Sequence, residues 1–345
     1  MMTRILCLLA ALPLTTSLLD TSGCEGNPPA PPVLDHDAVF MLDNPIYRPI
    51  PPDAPIDPDS AIYIEHMAAV QQASGLLMVL NQYAAPVYYA DQSTPRFDVF
   101  LDVYGTVGYY NKHWLLDVPI PDEARADPGS DKHMTVVDRA LGCVYDFWGY
   151  NNNVGVPKPN AWWASGIDTD SDGIYHECLG AGSASNFSFI NGAVWPDELA
   201  SGEINHALTF GYDYLSVRLG DPVYPAEHND GISTEIWSLP EGAHVQLDPN
   251  LDLSTLNLAP HEMTIAKALQ VYGMYLIDSS GGPISIHAIS GQSADPNPWV
   301  GVVPTPEDNA ILLNKIPTSK FRVLTLPEPH DGVSFCENTR CGTYE

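Results

Sequence analysis

The chain has 345 residues, 45% of them hydrophobic, and a formal charge of −29. A surface of that sign repels nucleic acid and anionic lipid headgroups, and it favours divalent cations and neutral or cationic partners. No GxSxG elbow, GxxxxGKS/T loop or CxxC pair occurs, which sets aside a serine α/β-hydrolase, a P-loop enzyme and a thioredoxin-like redox centre.

Arg4 is followed by an apolar run from Ile5 to Leu19, shorter than the about 20 residues of a typical spanning helix. With the small residues Thr21, Ser22 and Gly23, residues 1 to 23 have the pattern of a secretory signal. Cys24 comes next, and the junction resembles the lipobox of bacterial lipoproteins, in which the thiol is acylated and the chain is cut before it. Thr21 stands where that motif usually has Leu, and Asp20 sits close to the cut. An ordinary cleaved signal with an incidental Cys is the other reading. Either one predicts export: to the cell surface or periplasm on an outer or cell membrane lipid anchor, or into the medium.

Of the six cysteines, Cys7 falls in the signal. Acylation of Cys24 leaves Cys143, Cys178, Cys336 and Cys341, an even set with three possible pairings. The short spacing within the tail favours Cys336 with Cys341, and so Cys143 with Cys178. Reduced core thiols are the alternative. Residues 24 to 56 are proline-rich and predict an extended tether, or a strap laid on the domain surface in their later part.

Residues 57 to 345 show no break in composition and predict one domain. Asp57 to Ser60 offers helix caps, Ala61 to Gln72 has helical character, and Gly75 ends it. Phe97 to Tyr104 reads as a strand. Met134 to Asp138 and Cys143 to Trp148 read as a hairpin turning through Arg139 to Gly142. Glu203 to Phe210 alternates, with Ile204, His206, Leu208 and Phe210 on one face. Pro260 opens a helix striped by Ile265, Leu269, Tyr272 and Leu276, which Gly273 stops before a strand from Met274 to Ile277. Residues 305 to 315 suggest a short helix, and Phe321 to Leu326 a last strand. Many short strands and few peripheral helices predict a mostly β chain, a β-sandwich or jelly roll.

Asp168-Thr169-Asp170-Ser171-Asp172-Gly173 places three carboxylates at alternate positions before a glycine. That pattern suits a structural calcium ion, although Leu179 stands where a full EF-hand has its bidentate Glu. A solvated acidic turn is the alternative.

Four further segments occur in order: Gly129-Ser130-Asp131-Lys132-His133; Asp197-Glu198 with Gly202 to Leu208; Pro225-Ala226-Glu227-His228; and Ala268 to Asp278. The series resembles a family of secreted bacterial proteins carrying GSDxH, GxIxHAL, PAxH and ALxxYGMxLxD motifs, a family to which no activity is attached. Glu227 stands where many relatives have Arg, so a cation at that position would be missing here. The resemblance implies an exported domain and no particular reaction.

His133, His206 and His228 each stand at or near a predicted strand end and could converge. No HExxH or close pair points them to zinc. Glu198 is the first candidate proton donor and Asp131 the candidate base or nucleophile, with the histidines orienting a sugar or relaying a proton. Trp162, Trp163, Trp195 and Tyr272 are candidate planes for stacking on sugar rings, whereas Trp148 reads more as core. Together these features predict a carbohydrate-active protein, a glycoside hydrolase or polysaccharide lyase acting on an extracellular glycan. The alternative is a non-catalytic glycan-binding or structural surface lipoprotein. The first needs its carboxylates gathered in one concave site.

Overall fold

The computed structural model describes residues 39–40, 44–102, 111–151, 159–333 and 336–345. The expected signal, Cys24 and the spacer up to residue 38 lie outside them. Residues Leu34–Glu345 make one compact unit. No helix among the described residues is long and apolar enough to cross a membrane.

The chain is mostly β. It begins with α1 (Ser60–Ser74), β1 (Leu76–Val79), β2 (Val87–Ala90), β3 (Arg96–Leu101), β4 (Trp114–Pro119), β5 (Met134–Asp138) and β6 (Cys143–Trp148). Next come β7 (Asn160–Ala161), β8 (Trp163–Asp168), α2 (Pro196–Ser201), β9 (Leu208–Asp213) and β10 (His244–Leu247). The last elements are α3 (Pro260–Val271), β11 (Met274–Ser280), β12 (Ile284–Ile286), β13 (Ala310–Leu312) and β14 (Phe321–Val323).

Local chemistry sets the helix ends. Asp57 accepts from the backbone N–H of both Asp59 and Ser60 at 3.0 Å, which turns the chain into α1. In α3, Pro260 takes the first turn, where its missing N–H costs nothing. Glu262 reaches back to the Ala259 N–H at 2.7 Å and also holds Lys315 at 2.8 Å. Half of the predicted stripe is helical: α3 ends before Tyr272 and Leu276 belongs to β11, whereas Ile265 and Leu269 are fully buried in the core that holds Val245 and Leu247 of β10. Each such side chain contributes roughly 1.5–3 kcal/mol by leaving water.

Three sheets result. Seven strands run in the order β13-β1-β12-β9-β11-β10-β14, four in the order β2-β5-β6-β8, and three in the order β4-β3-β7. The β1–β12, β9–β11, β2–β5 and β3–β7 pairs are parallel. One core packs α1 and α3 on the large sheet around Leu76, Phe210, Leu276 and Ile286. A second, with Val99, Leu115, Val136, Phe147 and Trp163, joins the three- and four-stranded sheets face to face. A third, with Val137, Val144, Ile167 and Phe189, covers the other face of the four-stranded sheet. The hairpin of β5 and β6 is therefore buried on both sides, Met134 pairing with Phe147 and Asp138 with Cys143.

Several expectations are corrected. The strand predicted from Glu203 begins only at Leu208. The Glu198 carbonyl captures the N–H groups of Gly202 and Glu203, and Ala207 bonds to Ile46, so no ladder partner is available earlier. Residues 305 to 315 hold no helix; Ala310–Leu312 is strand β13 on the edge of β1, with Ile311 buried and Leu312 exposed. The disulfides join Cys143 to Cys341 and Cys178 to Cys336, and neither Cys143–Cys178 nor Cys336–Cys341 forms. The tail returns beside β4, where Glu345 exchanges backbone bonds with Trp114, and that return brings Cys341 to Cys143. From Asn44 the proline-rich segment is a strap: Ile46 is 1% exposed, and Ile50 bonds to Val271.

Candidate functional site

Two adjoining clefts, of about 660 and 340 Å³, share Asp131, His133, Asp278 and Ser279 in their walls. Three stretches of chain deliver the polar groups. In the large sheet, β12, β9 and β11 lie side by side, with Ser285 opposite Gly211 and Gly211 opposite Asp278. The β9–β11 ladder shifts register between Leu276 and Asp278. Such a bulge re-aims the side chain beside it. His287 follows β12 directly, fixed by Thr209 on its N–H and Val194 on its carbonyl, each at 3.0 Å.

The approach to β5 supplies Asp131 and His133. The Asp131 carbonyl accepts from Gly149 at 2.7 Å, which ties this segment to the far end of the hairpin. Asp127 braces it from behind, accepting from the N–H groups of Tyr83 and Gly129 at 2.8 and 2.7 Å. The third stretch runs from residue 225 to 242. His228 donates through Nδ1 to the Ala184 carbonyl at 2.7 Å. Asp230 accepts from the Ser279 hydroxyl at 2.8 Å. Glu241 is set by its own backbone, which accepts from Val223 at 3.0 Å.

The electrostatics follow from burial. Glu241 is 0% exposed, and loss of water, then the carboxylates of Asp230 and Asp278, push its pKa well above the usual range. Asp278 is raised well above its usual range for the same first reason, with Asp230 and Asp131 adding to it. His287 is driven down to about 3 by burial and then by His133. Burial also lowers His133, against the opposing pull of Asp131. Phe189 stacks on His133 at 4.5 Å and meets His287 at a tilt at 5.0 Å, and the Nδ1 of each imidazole is buried without a hydrogen-bond partner. Both rings are neutral at pH 7.

Asp131, His133 and His228 do meet, as the sequence suggests. Glu198 and His206 do not join them. They form a buried pair, Oε1 to Nε2 at 2.9 Å, beside a separate cavity of about 10 Å³. Glu198 also caps α2 through the Trp195 N–H at 2.9 Å. Of the proposed sugar-stacking planes, Trp163 and Trp195 are core residues, and Tyr272 caps the end of α3. Trp162 packs edge-on against Trp148, and it is Trp148 that lines the smaller cleft. Tyr83 and Tyr214 line the larger cleft and are 43% and 45% exposed.

At the DxDxDG turn, Asp168 pairs with Arg340 and Asp172 lies 3.2 Å from His176. Among the described residues, the group of three or more acidic or ligating side chains whose donor atoms come within 4.8 Å of one another is Asp230, Glu241 and Asp278. Sequence reading missed Asp230, Glu241 and His287. Asp230 sits two residues past the PAxH segment, close enough to have been weighed with it. Pro240-Glu241-Gly242 reads as a plain turn and His287 as a strand residue, so neither carried a signal. Three of the four motif segments thus send side chains to one cleft, and GxIxHAL sends His206 elsewhere. No family model, curated protein or solved structure matches the chain.

Proposed function

We propose that this is an exported, carbohydrate-active protein, held at a membrane through Cys24, that cleaves a neutral extracellular polysaccharide in the double cleft. One observation carries this reading. The carboxyl groups of Asp131 and Asp278 and the imidazole of His133 line the wall common to the two clefts, with Tyr83 and Tyr214 in one cleft and Trp148 in the other. A sugar chain running through both would stack on aromatic planes on either side of the acid–base groups. Asp131 is the base that activates water. His133, protonated beside that negative charge when the sugar chain is bound, gives its proton to the departing sugar oxygen while Asp131 takes one from the water, and that proton passes back to His133 after the products leave. Glu198, buried in its pair with His206, is not assigned a step.

The acidic surface favours an uncharged glycan over a polyuronate. The test is release of reducing ends from a panel of neutral polysaccharides, using membrane and soluble fractions of cells making the protein. Activity is expected in the membrane fraction, and in the soluble fraction for Cys24→Ser. Asp131→Asn, folded by circular dichroism, is expected to lose on the order of 10²-fold or more. No binding or release across the panel, or full activity in Asp131→Asn, refutes the assignment. Binding without release supports the alternative, a glycan-binding surface protein.

A further inference from the structure

We infer that Asp230, Glu241 and Asp278 bind one hard divalent cation, of the calcium type, at the wall of the cleft. Their oxygens lie within 4.8 Å of one another, close enough for a small adjustment of the side chains to place one ion at roughly 2.3–2.6 Å from each. Glu241 is the independent sign of a ligand. It is 0% exposed, neither carboxylate oxygen makes a hydrogen bond of good geometry, and the side chain within hydrogen-bonding reach is another acid, Asp230. The charged groups acting on it are two more acids, Asp230 and Asp278. A buried carboxylate is retained when it is paired or coordinates a metal, and here no pairing cation fills that role. The donor set is all oxygen, which selects calcium-like ions over zinc.

The three residues come from rigid places. Glu241 is fixed by the backbone bonds of Val223 to its carbonyl and of Gly242 to Leu276. Asp278 stands at the bulge of β11, and the Ser279 hydroxyl orients Asp230. Asp230 and Asp278 line the smaller cleft, so the ion would keep open positions toward it for water or a ligand hydroxyl. The DxDxDG turn makes the contrast, because Asp168 is already neutralised by Arg340.

The site borders the cleft of the proposed function but does not depend on any reaction there. The test uses chelator-treated, full-length mature protein titrated calorimetrically with calcium chloride, with terbium luminescence sensitised by Trp148 as a second readout. Wild type is expected to bind one equivalent and to gain melting temperature. Glu241→Gln and Asp230→Asn are each expected to weaken binding at least tenfold, while Asp170→Asn leaves it unchanged. In chelator, Glu241→Gln should melt at or above wild type, since it replaces a buried carboxyl beside two other acids with a neutral amide; if it fails to fold, the exposed Asp230→Asn decides. Absence of stoichiometric binding overturns the inference, as does binding that survives Asp230→Asn and Glu241→Gln or that is lost in Asp170→Asn. Since no glycan enters the assay, calcium binding without polysaccharide cleavage would count against the proposed function alone.

Discussion

His244 owes its charge state to where β10 puts it. Its ring stacks on Tyr275 at 4.0 Å, and Nε2 donates to the Tyr272 carbonyl at 2.7 Å. Burial drives its pKa down to about 4, with the Tyr272 bond opposing. An unfolded chain takes that proton near pH 6.5. Between pH 6.5 and about 4 the unfolded state therefore holds the extra proton, and stability falls as the pH falls. His244→Gln keeps a donor and cannot titrate. Denaturation curves from pH 7 to 4 are expected to fall less steeply for it, by at most about 1.4 kcal/mol per pH unit. Parallel curves would show that His244 does not titrate in this window. The same logic makes Glu198 and His206 a structural pair: removing one partner leaves the other buried and unpaired, whatever the cleft does.

At the level of elements, the acidic centre hangs on a turn. Gly242 has φ +89, and a β-carbon there would lie 1.8 Å from the Val223 carbonyl oxygen. Its N–H is spent on Leu276 at 2.8 Å. Gly242→Ala must move either the turn or the strand it docks on, and Glu241 moves with it. The expected cost is about 2 kcal/mol or more, measured by urea denaturation. A change below about 0.5 kcal/mol, the range of ordinary surface substitutions, would mean that the turn relaxes freely. Regular elements were readable because each obeys a local period: the hairpin of β5 and β6 falls at the predicted residues, and α3 buries Ile265 and Leu269 of the predicted stripe. Elements that borrow their partners from afar were not. Ala310–Leu312 is a strand because β1 offers it an open edge, and Glu203–Ala207 is not one because α2 takes the N–H of Glu203 and Ile46 that of Ala207.

Across the whole molecule, both disulfides fasten the C-terminal tail to the sandwich side of the unit. They close loops with sequence separations of 198 and 158 residues. On a chain-entropy view, a loop of 100 residues already gives about 4.7 kcal/mol, although measured effects are usually about 2–5. Replacing Cys143 and Cys341 together by Ser is expected to lower the melting temperature and to expose the last ten residues to protease, because Glu345 is otherwise clamped by Trp114. An unchanged melting temperature with an intact tail would show that the backbone pairing suffices by itself.

By itself the sequence determined the mostly β class, the hairpin and two of the helices, because burial imposes a repeat that neighbouring residues must share. It also determined that Asp131, His133 and His228 were worth placing together, through the polar segments that punctuate the strands. Tertiary structure decided which candidates meet. Glu198 and His206 closed on each other in the interior, while Asp230 and Glu241 arrived from one stretch of chain, Asp278 from β11 and His287 from the end of β12 in the large sheet. Convergence of that kind depends on sheet order and on one register shift, and neither leaves a mark on the residues nearby.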